Sequence, residues 1–211
     1  MLSIVVREKE MDSKIKNVIF DVGDVLIDFR YRDYMKDLGF SDETVDFLSD
    51  NMVLTDFWDD MDLGVRDVDD AEKYFSDKYP DLKDEIHEFW AHTERIVAEY
   101  DYAGPMIRSL KDKGYKVFLL SNYPEKMADI HWKKFTFLDI LDGYIISAKV
   151  KITKPDPAIY RMLMDRYRLK PEESIFIDDR QINIDTAKEL GMETVFFTGY
   201  DELVEKLGCL T

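Results

Sequence analysis

Residues 16–30 read KNVIFDVGDVLIDFR. The apolar run Val18-Ile19-Phe20, followed at once by Asp21, predicts a short buried strand with a polar residue at its carboxyl end. Four further short apolar runs occur at residues 117–120, 144–146, 175–177 and 195–197. All these runs are apolar on both faces and too short for helices, which is typical of strands in a parallel sheet that is covered on both sides.

Helical patterns separate most of these strands. Residues 105–113 begin with Pro105, which we place at the first helical position. Asp156 and Pro157 are typical of an N-cap and the first position of the next helix, and residues 186–190 form another helical segment. Strands that alternate with helices predict an α/β fold with a doubly wound, Rossmann-like parallel sheet.

A long insertion interrupts this alternation. The second predicted strand begins about 95 residues after the first, which is far more than one crossover connection needs. Helix-like patterns fill the gap at residues 34–38, 41–48, 56–61, 69–75 and 82–97. We therefore predict an N-terminal extension (1–15), an α/β core (16–30 and 100–211) and an inserted all-helical cap (31–99).

The chain is strongly acidic, with a formal net charge of −16 over 211 residues. Residues 31–100 hold 21 Asp and Glu against 7 Lys and Arg, so most of this charge lies in the insertion. The charge argues against nucleic acid and anionic membrane surfaces as partners. It is typical of a solvated helical surface, and the alternative is that it repels polyanionic ligands from a site entrance.

The single cysteine, Cys209, excludes an internal disulfide framework and a multi-cysteine zinc site. Residues 1–10 contain no apolar core of signal-peptide length, and no later run approaches the ~18 apolar residues of a membrane span. We therefore expect a cytoplasmic protein. Residues 1–10 are interpreted as a loose extension or a mis-assigned start before Met11, with an ordered arm as the alternative.

Polar residues follow the predicted strands directly, or lie in the loop after them. In chain order they are Asp21, Ser121-Asn122, Lys154-Pro155 and Asp178-Asp179. Because ligands of open parallel sheets bind beyond the carboxyl ends of the strands, we expect these side chains to converge. Adjacent carboxylates repel each other unless a cation lies between them, so the last pair indicates a cation site.

This constellation resembles the haloacid dehalogenase-like superfamily, whose members are mostly Mg²⁺-dependent phosphatases. The four motifs of that superfamily correspond to residues 20–23, 120–122, 154–155 and 177–179, and the insertion occupies the position of its helical cap. Within the superfamily, residues 20–28 are most similar to a bacterial glucose-1-phosphate phosphatase branch, which is related to the phosphatase domain of soluble epoxide hydrolase.

The resemblance implies that Asp21 is a nucleophile that forms an aspartyl-phosphate intermediate. It also implies a Mg²⁺ ion held by Asp21, Asp179 and the backbone carbonyl of Gly23, which are oxygen ligands of the type this ion prefers. Asp178 would hold a metal-bound water or pair with Lys154, and the pattern leaves open which carboxylate of the pair binds the ion directly.

The remaining motif residues are assigned to the phosphate by the same resemblance. Ser121 and the backbone amide of Asn122 would donate hydrogen bonds to phosphate oxygens. Lys154 would hold a phosphate oxygen and orient Asp21, and we expect an extended backbone at Lys154 because proline follows it. Asn183, shortly after the last motif, is a candidate for positioning the metal-binding carboxylates, with an exposed position at a helix start as the alternative.

One residue departs from the family pattern. The usual first motif has a second Asp that acts as general acid and base, and Gly23 occupies that position. Asp24 is one residue further on, where a tight loop should direct its side chain elsewhere. A metal-bound water, a cap residue or a substrate with a good leaving group could serve instead.

We therefore predict a Mg²⁺-dependent phosphatase acting on a small phosphorylated metabolite, with a sugar phosphate as the expected substrate. Two alternatives remain at this point. Loss of the acid at Gly23 is compatible with a catalytically weak or inactive phosphate-binding protein. A haloacid dehalogenase also uses an Asp nucleophile but needs no metal, which the pair Asp178-Asp179 argues against.

Overall fold

The structure is a computed structural model that describes residues 14–208. Residues 1–13 of the predicted extension and Cys209 lie outside the described residues. Within that range, five strands form a parallel sheet: β1 (Asn17–Phe20), β4 (Lys116–Ser121), β5 (Gly143–Ile146), β6 (Ser174–Asp178) and β7 (Glu193–Phe196). Their order across the sheet is β5-β4-β1-β6-β7. All five apolar runs predicted as strands are confirmed.

The two faces of this sheet carry separate apolar clusters, because successive side chains of a strand point to opposite faces. Val18 of β1 pairs in register with Val117 and Ile175, and all three belong to the larger cluster. Ile19 and its register partners belong to the other cluster. A sheet buried on both faces confirms the predicted doubly wound α/β class.

The core helices are α6 (Ala103–Asp112), α7 (Glu125–His131), α8 (Ser147–Val150), α9 (Pro157–Tyr167), α10 (Gln181–Glu189) and α11 (Tyr200–Leu207). The predicted cap of α9 is confirmed, since the Asp156 carboxylate accepts a hydrogen bond from the Ala158 amide at 2.8 Å. The prediction that Pro105 opens α6 is wrong. The helix begins at Ala103, and Pro105 is accommodated in the first turn because amides there have no intrahelical partner.

The insertion contains α1 (Tyr31–Asp37), α2 (Asp42–Leu48), α3 (Asp56–Asp62), α4 (Val68–Lys78) and α5 (Lys83–Ala91). A π-helical turn, Ser49–Val53, connects α2 to the loop before α3. The prediction of one helix over residues 82–97 is wrong, because α5 ends at Ala91. The chain then forms a 3₁₀ turn and strand β3 (Val97–Glu99), which pairs antiparallel with β2 (Ile27–Phe29).

Several contacts fix the inserted helices to the core beside the strand ends. The Ser147 hydroxyl donates to the Asp62 carbonyl at 2.5 Å, and Lys126 forms ion pairs with Asp67 and Asp69 at 2.8 and 2.6 Å. These contacts place the end of α3 over the carboxyl edge of the sheet. None of the helices within residues 14–208 is both long and apolar enough to span a lipid bilayer.

Candidate active site

Asp21 lies at the carboxyl end of β1, the central strand of the sheet. Its backbone amide donates to the Ile177 carbonyl at 2.8 Å, which ties it to the neighbouring strand β6. Its Oδ1 accepts hydrogen bonds from the Val22 amide at 2.6 Å and from Lys154 Nζ at 2.8 Å. Among residues 14–208, no group donates to Oδ2, and the side chain is 11% exposed. One carboxylate oxygen is therefore fixed while the other is available to a ligand.

Lys154 lies between two carboxylates in the floor of the site. Its Nζ is 2.8 Å from Asp21 Oδ1 and 2.8 Å from Asp178 Oδ2, and the side chain is 1% exposed. Burial by itself would lower the pKa of Lys154, but the two carboxylates outweigh it and raise the pKa. The lysine is thus a permanent positive charge beside Asp21.

The side chain of Asn122 holds the loop that carries Lys154. Asn122 Oδ1 accepts from the Lys154 amide at 2.8 Å, and its Nδ2 donates to the Lys154 carbonyl at 3.0 Å. The Lys154-Pro155 peptide bond is cis. We predicted a contribution from the Asn122 backbone only, so this role of its side chain is an addition from the structure.

The adjacent carboxylates Asp178 and Asp179 have different surroundings. Asp178 is fully buried, and its two oxygens accept from the Arg180 amide at 2.8 Å, from Lys154 at 2.8 Å and from Asn183 Nδ2 at 2.9 and 3.0 Å. Asp179 is partly exposed and lines the cavity described below. Both oxygens of Asp178 therefore already accept hydrogen bonds from protein donors, whereas the Asp179 carboxylate is accessible to a ligand.

The three carboxylates form a compact acidic cluster. One oxygen from each of Asp21, Asp178 and Asp179 lies within 4.8 Å of the other two. Burial raises the pKa of Asp21 to about 7, even though Lys154 opposes that change. Burial and the neighbouring Asp178 also raise the pKa of Asp179. These shifts indicate that the single lysine does not offset the cost of burying these charges.

A Mg²⁺ ion fits this donor set. Carboxylate and carbonyl oxygens are the ligands it prefers, and no residue within the described range donates a hydrogen bond to the Gly23 carbonyl. The partly exposed Asp179 and the free oxygen of Asp21 complete the set of available oxygens. A divalent cation there would also stabilise the charged forms of Asp21 and Asp179, whose pKa values are raised by burial and, to a smaller extent, by repulsion from Asp178.

A cavity of about 420 Å³ lies between this cluster and the inserted helices. Of the predicted site residues, Asp21, Gly23, Asn122 and Asp179 line it. Ser121, Lys154, Asp178 and Asn183 are buried behind this lining. The rest of the lining combines carboxylates of α3 with apolar side chains, which include Phe29, Val53, Leu54, Trp58, Ile96, Val97 and Met127.

Several lining residues were not predicted from the sequence. Tyr123 and His131 form one group, in which the Tyr123 hydroxyl is 2.6 Å from His131 Nδ1 and His131 Nε2 is 2.8 Å from the Thr93 carbonyl. Because a carbonyl only accepts, Nε2 carries the proton and Tyr123 donates to Nδ1. Asp62, at the end of α3, also lines the cavity. In the sequence it is one of many acidic residues in the insertion and carried no distinguishing signal.

Asp24 has a structural partner of its own. It adopts a left-handed backbone conformation with φ of +54°, and its Oδ1 accepts from the Phe29 amide at 3.2 Å. This carboxylate therefore holds the backbone at the last residue of β2. Asp24 nevertheless lines the same cavity as Asp21 and Gly23.

Comparison with known proteins gives a consistent family assignment. The family model for haloacid dehalogenase-like hydrolases matches residues 15–191. A D-ribitol-5-phosphate phosphatase from Bacteroides thetaiotaomicron is 29% identical over 194 residues, covering 85% of this chain and 90% of that protein. An (S)-2-haloacid dehalogenase from Burkholderia cepacia is 29% identical over 140 residues, covering 66% of this chain and 58% of that protein.

A solved structure of a family enzyme from Bacteroides thetaiotaomicron, in complex with magnesium and inorganic phosphate, superimposes with a TM-score of 0.66. It is 25% identical to this chain, and the match covers 90% of this chain and 98% of the other.

Proposed function

The chain belongs to the haloacid dehalogenase-like hydrolase family, and from that premise we propose that it is a Mg²⁺-dependent phosphatase of small phosphomonoesters. The proposal rests on how the two carboxylate oxygens of Asp21 are hydrogen-bonded. One of its oxygens is held by Lys154 and the Val22 amide, and the other is free beside the open carboxylate of Asp179. This arrangement suits a nucleophile next to a cation site.

Electrostatics explains why a carboxylate needs such surroundings to attack a phosphate. Two unit negative charges ~3.5 Å apart repel by about 5 kcal/mol at an effective dielectric constant near 20. A phosphate dianion doubles that repulsion. Lys154 supplies one compensating charge next to Asp21, and a bound Mg²⁺ would supply two more.

In the proposed reaction, the free oxygen of Asp21 attacks phosphorus and the bond to the leaving oxygen breaks. The product is an aspartyl-phosphate, which water then cleaves to release inorganic phosphate and restore the Asp21 carboxylate. The Ser121 hydroxyl and the Asn122 amide would donate hydrogen bonds to the phosphate oxygens. Lys154 holds Asp21 in position throughout.

The ion would be held by Asp21, Asp179 and the carbonyl of Gly23. Asp178 has a different role in this proposal, because its oxygens are already filled by Lys154, Asn183 and the Arg180 amide. It positions Lys154 rather than binding the ion directly. The relative that holds magnesium and inorganic phosphate supports this use of the site.

We further propose a phosphorylated sugar or polyol as the substrate. The cavity of about 420 Å³ has room for a small leaving group, and its lining includes the aromatic rings of Phe29 and Trp58 beside several carboxylates. The relative named for D-ribitol 5-phosphate covers most of this chain and supports the same substrate class.

Hydrolysis of 4-nitrophenyl phosphate with and without Mg²⁺ tests the proposed function. Asp21→Asn should lose at least ~10³-fold in kcat, as expected when a nucleophile is removed. Asp129→Asn, which changes an exposed carboxylate paired with Lys149, should stay within about twofold of the wild type. Equal turnover by the Asp21 and Asp129 variants would refute the mechanism.

This assay and a halide-release assay together separate the alternatives. A phosphate-binding protein without activity would leave 4-nitrophenyl phosphate intact, although its leaving group needs no protonation. A dehalogenase would release halide from 2-chloropropionate in the presence of EDTA, an activity suggested by one relative. The acidic cluster of Asp21, Asp178 and Asp179 favours the metal-dependent phosphatase.

A further inference from the structure

Release of a sugar or polyol requires a proton donor. An alkoxide is a poor leaving group, so a positioned acid must protonate the departing oxygen as its bond to phosphorus breaks. Gly23, the residue two positions after the nucleophile, has no side chain to do this. The donor must come from elsewhere in the cavity.

Most titratable groups of the cavity are engaged or badly placed. Asp24 accepts a hydrogen bond from the Phe29 amide. His131 donates its one proton to the Thr93 carbonyl, and burial lowers its pKa, so it has no second proton to give. Tyr123 donates to His131, and burial raises its pKa.

The carboxylates of α3 face the cavity from the cap. Asp56 and Asp59 lie at its rim and are exposed to solvent, whereas Asp62 is partly buried at the end of the helix. No residue in the described part of the chain donates a hydrogen bond to the Asp62 carboxyl. This leaves a carboxyl group without a structural partner on the cap side of the reaction site.

The backbone of Asp62 is fixed relative to the core. Its carbonyl accepts from the Ser147 hydroxyl at 2.5 Å, and the Ser147 oxygen in turn accepts from the Tyr123 amide at 2.9 Å. Tyr123 follows β4 and its strand-end motif directly. The bond crosses the boundary between cap and core, so Asp62 keeps its place above the strand ends.

Its surroundings favour the protonated form. Burial, followed by the charges of Asp59 and Asp21, raises the pKa of Asp62 to about 8, while Lys154 and Arg180 oppose that change. A carboxyl group that retains its proton near neutral pH can act as an acid.

We propose that Asp62 is the general acid of the reaction, protonating the leaving oxygen from the cap side of the cavity that Asp21 and Asp179 line. The inference rests on the proposed phosphatase function and names the group that replaces the missing side chain at Gly23. As Asp21 forms its bond to phosphorus, the phosphorus–oxygen bond of the ester breaks and the Asp62 proton moves to the leaving oxygen, which departs as a neutral alcohol.

The second step restores the site. The Asp62 carboxylate takes a proton from the attacking water as the water oxygen bonds to phosphorus. The acyl-phosphate bond to Asp21 breaks, and its electron pair returns to the Asp21 carboxylate. Each cycle consumes one ester and one water and produces one alcohol and one phosphate.

Two substrates of similar shape test this role. 4-Nitrophenyl phosphate and phenyl phosphate differ in leaving-group pKa by about three units, and only the poorer leaving group depends strongly on an acid. With Mg²⁺ present, Asp62→Asn should lower kcat/KM for phenyl phosphate at least 30-fold and for 4-nitrophenyl phosphate by less than threefold. The ratio kcat/KM reports the steps up to the aspartyl-phosphate and so isolates the acid role.

A matched variant on the same helix serves as the control. Asp60→Asn changes a carboxylate that pairs with Arg66 at 3.0 Å outside the cavity, and both substrates should be turned over as by the wild type. Mg²⁺ affinity measured by calorimetry should stay within twofold in Asp62→Asn. Retained hydrolysis of 4-nitrophenyl phosphate shows that this variant is folded.

Three results would overturn the inference while leaving the phosphatase intact. The first is an equal loss on both substrates in Asp62→Asn, or no loss on either. The second is a selective loss on phenyl phosphate in Asp59→Asn instead. The third is Mg²⁺ binding weakened more than tenfold in Asp62→Asn, which would make it a metal ligand. A wild type inactive on both substrates would instead refute the proposed function.

Discussion

Replacing Lys154 with methionine tests the electrostatic organisation of the site directly. Methionine has a similar length and an apolar side chain, so Lys154→Met keeps the packing while removing the positive charge and its hydrogen bonds. Asp21 and Asp178 are then left buried with no compensating cation. We expect a large loss of stability that depends on pH.

The magnitude follows from the two ion-pair distances of 2.8 Å. Each contact is worth about 6 kcal/mol at an effective dielectric constant near 20, but most of this gross attraction offsets the cost of burying the three charges. Removing one partner of a buried ion pair typically costs about 3–5 kcal/mol, because the remaining charge stays buried. We expect a loss of this size in the free energy of unfolding at alkaline pH, where Asp21 is ionised in the variant as well.

The pH dependence has a definite sign. The pKa of Asp21 is about 7 in the folded protein, above its ordinary value of 3.8, and Lys154 holds it below what burial alone would produce. Without the lysine, Asp21 takes up a proton at still higher pH, which removes one buried negative charge. The destabilisation should therefore grow as the pH rises through this higher pKa, be full only above it, and shrink to about 1–2 kcal/mol at pH 5.

Urea unfolding in metal-free buffer at pH 5 and pH 8 measures both effects. Lys149→Met is the matched control, because Lys149 pairs with Asp129 at 2.9 Å on the surface and should contribute less than about 1 kcal/mol. If Lys154→Met unfolds at the same urea concentration as Lys149→Met at pH 8, the buried ion-pair account is refuted.

Three further predictions concern single substitutions. Asp62→Asn should be more stable than the wild type by about 2 kcal/mol at pH 8, less than the full linkage value because the group is partly exposed. The gain should vanish near pH 4, since the folded pKa of about 8 exceeds the ordinary 3.8, and urea unfolding across this range checks it. Asn183→Ala removes the donor that holds both oxygens of Asp178 at 2.9 and 3.0 Å, and kcat should fall about 10–100-fold. Unchanged kinetics would show that Asp178 is held without Asn183. Gly143→Ala would place a Cβ 2.2 Å from the ring of Tyr167, so the midpoint of urea unfolding should drop by the equivalent of about 1–3 kcal/mol.

The sheet and the convergence of its strand-end residues were predictable from local patterns. A short run such as 18–20, apolar on both faces, has few alternatives to a buried parallel strand, and the polar residue after it must lie at the carboxyl edge. The N-cap at Asp156 was also predictable from the local sequence, because its hydrogen bond reaches only two residues along the chain.

The β2–β3 ribbon was missed because it depends on a distant partner. Residues 27–29 and 97–99 pair across the whole insertion. Nothing within residues 82–97 marks the end of α5 at Ala91 as clearly as this pairing does. The helix-like residue pattern continues to residue 97, although the helix ends at Ala91 and the chain then forms strand β3 beside β2.

The amino-acid sequence by itself determined the sheet, the helices that cover it and the motif residues at its edge, because these depend on neighbours a few positions apart. Only the tertiary structure distinguished Asp62 from the other acids of the insertion and separated the filled carboxylate of Asp178 from the open one of Asp179. All aspartates carry the same carboxyl group, so the sequence alone does not distinguish their roles. Their protonation and ligand-binding roles are set by burial and by donors that folding brings from remote parts of the chain.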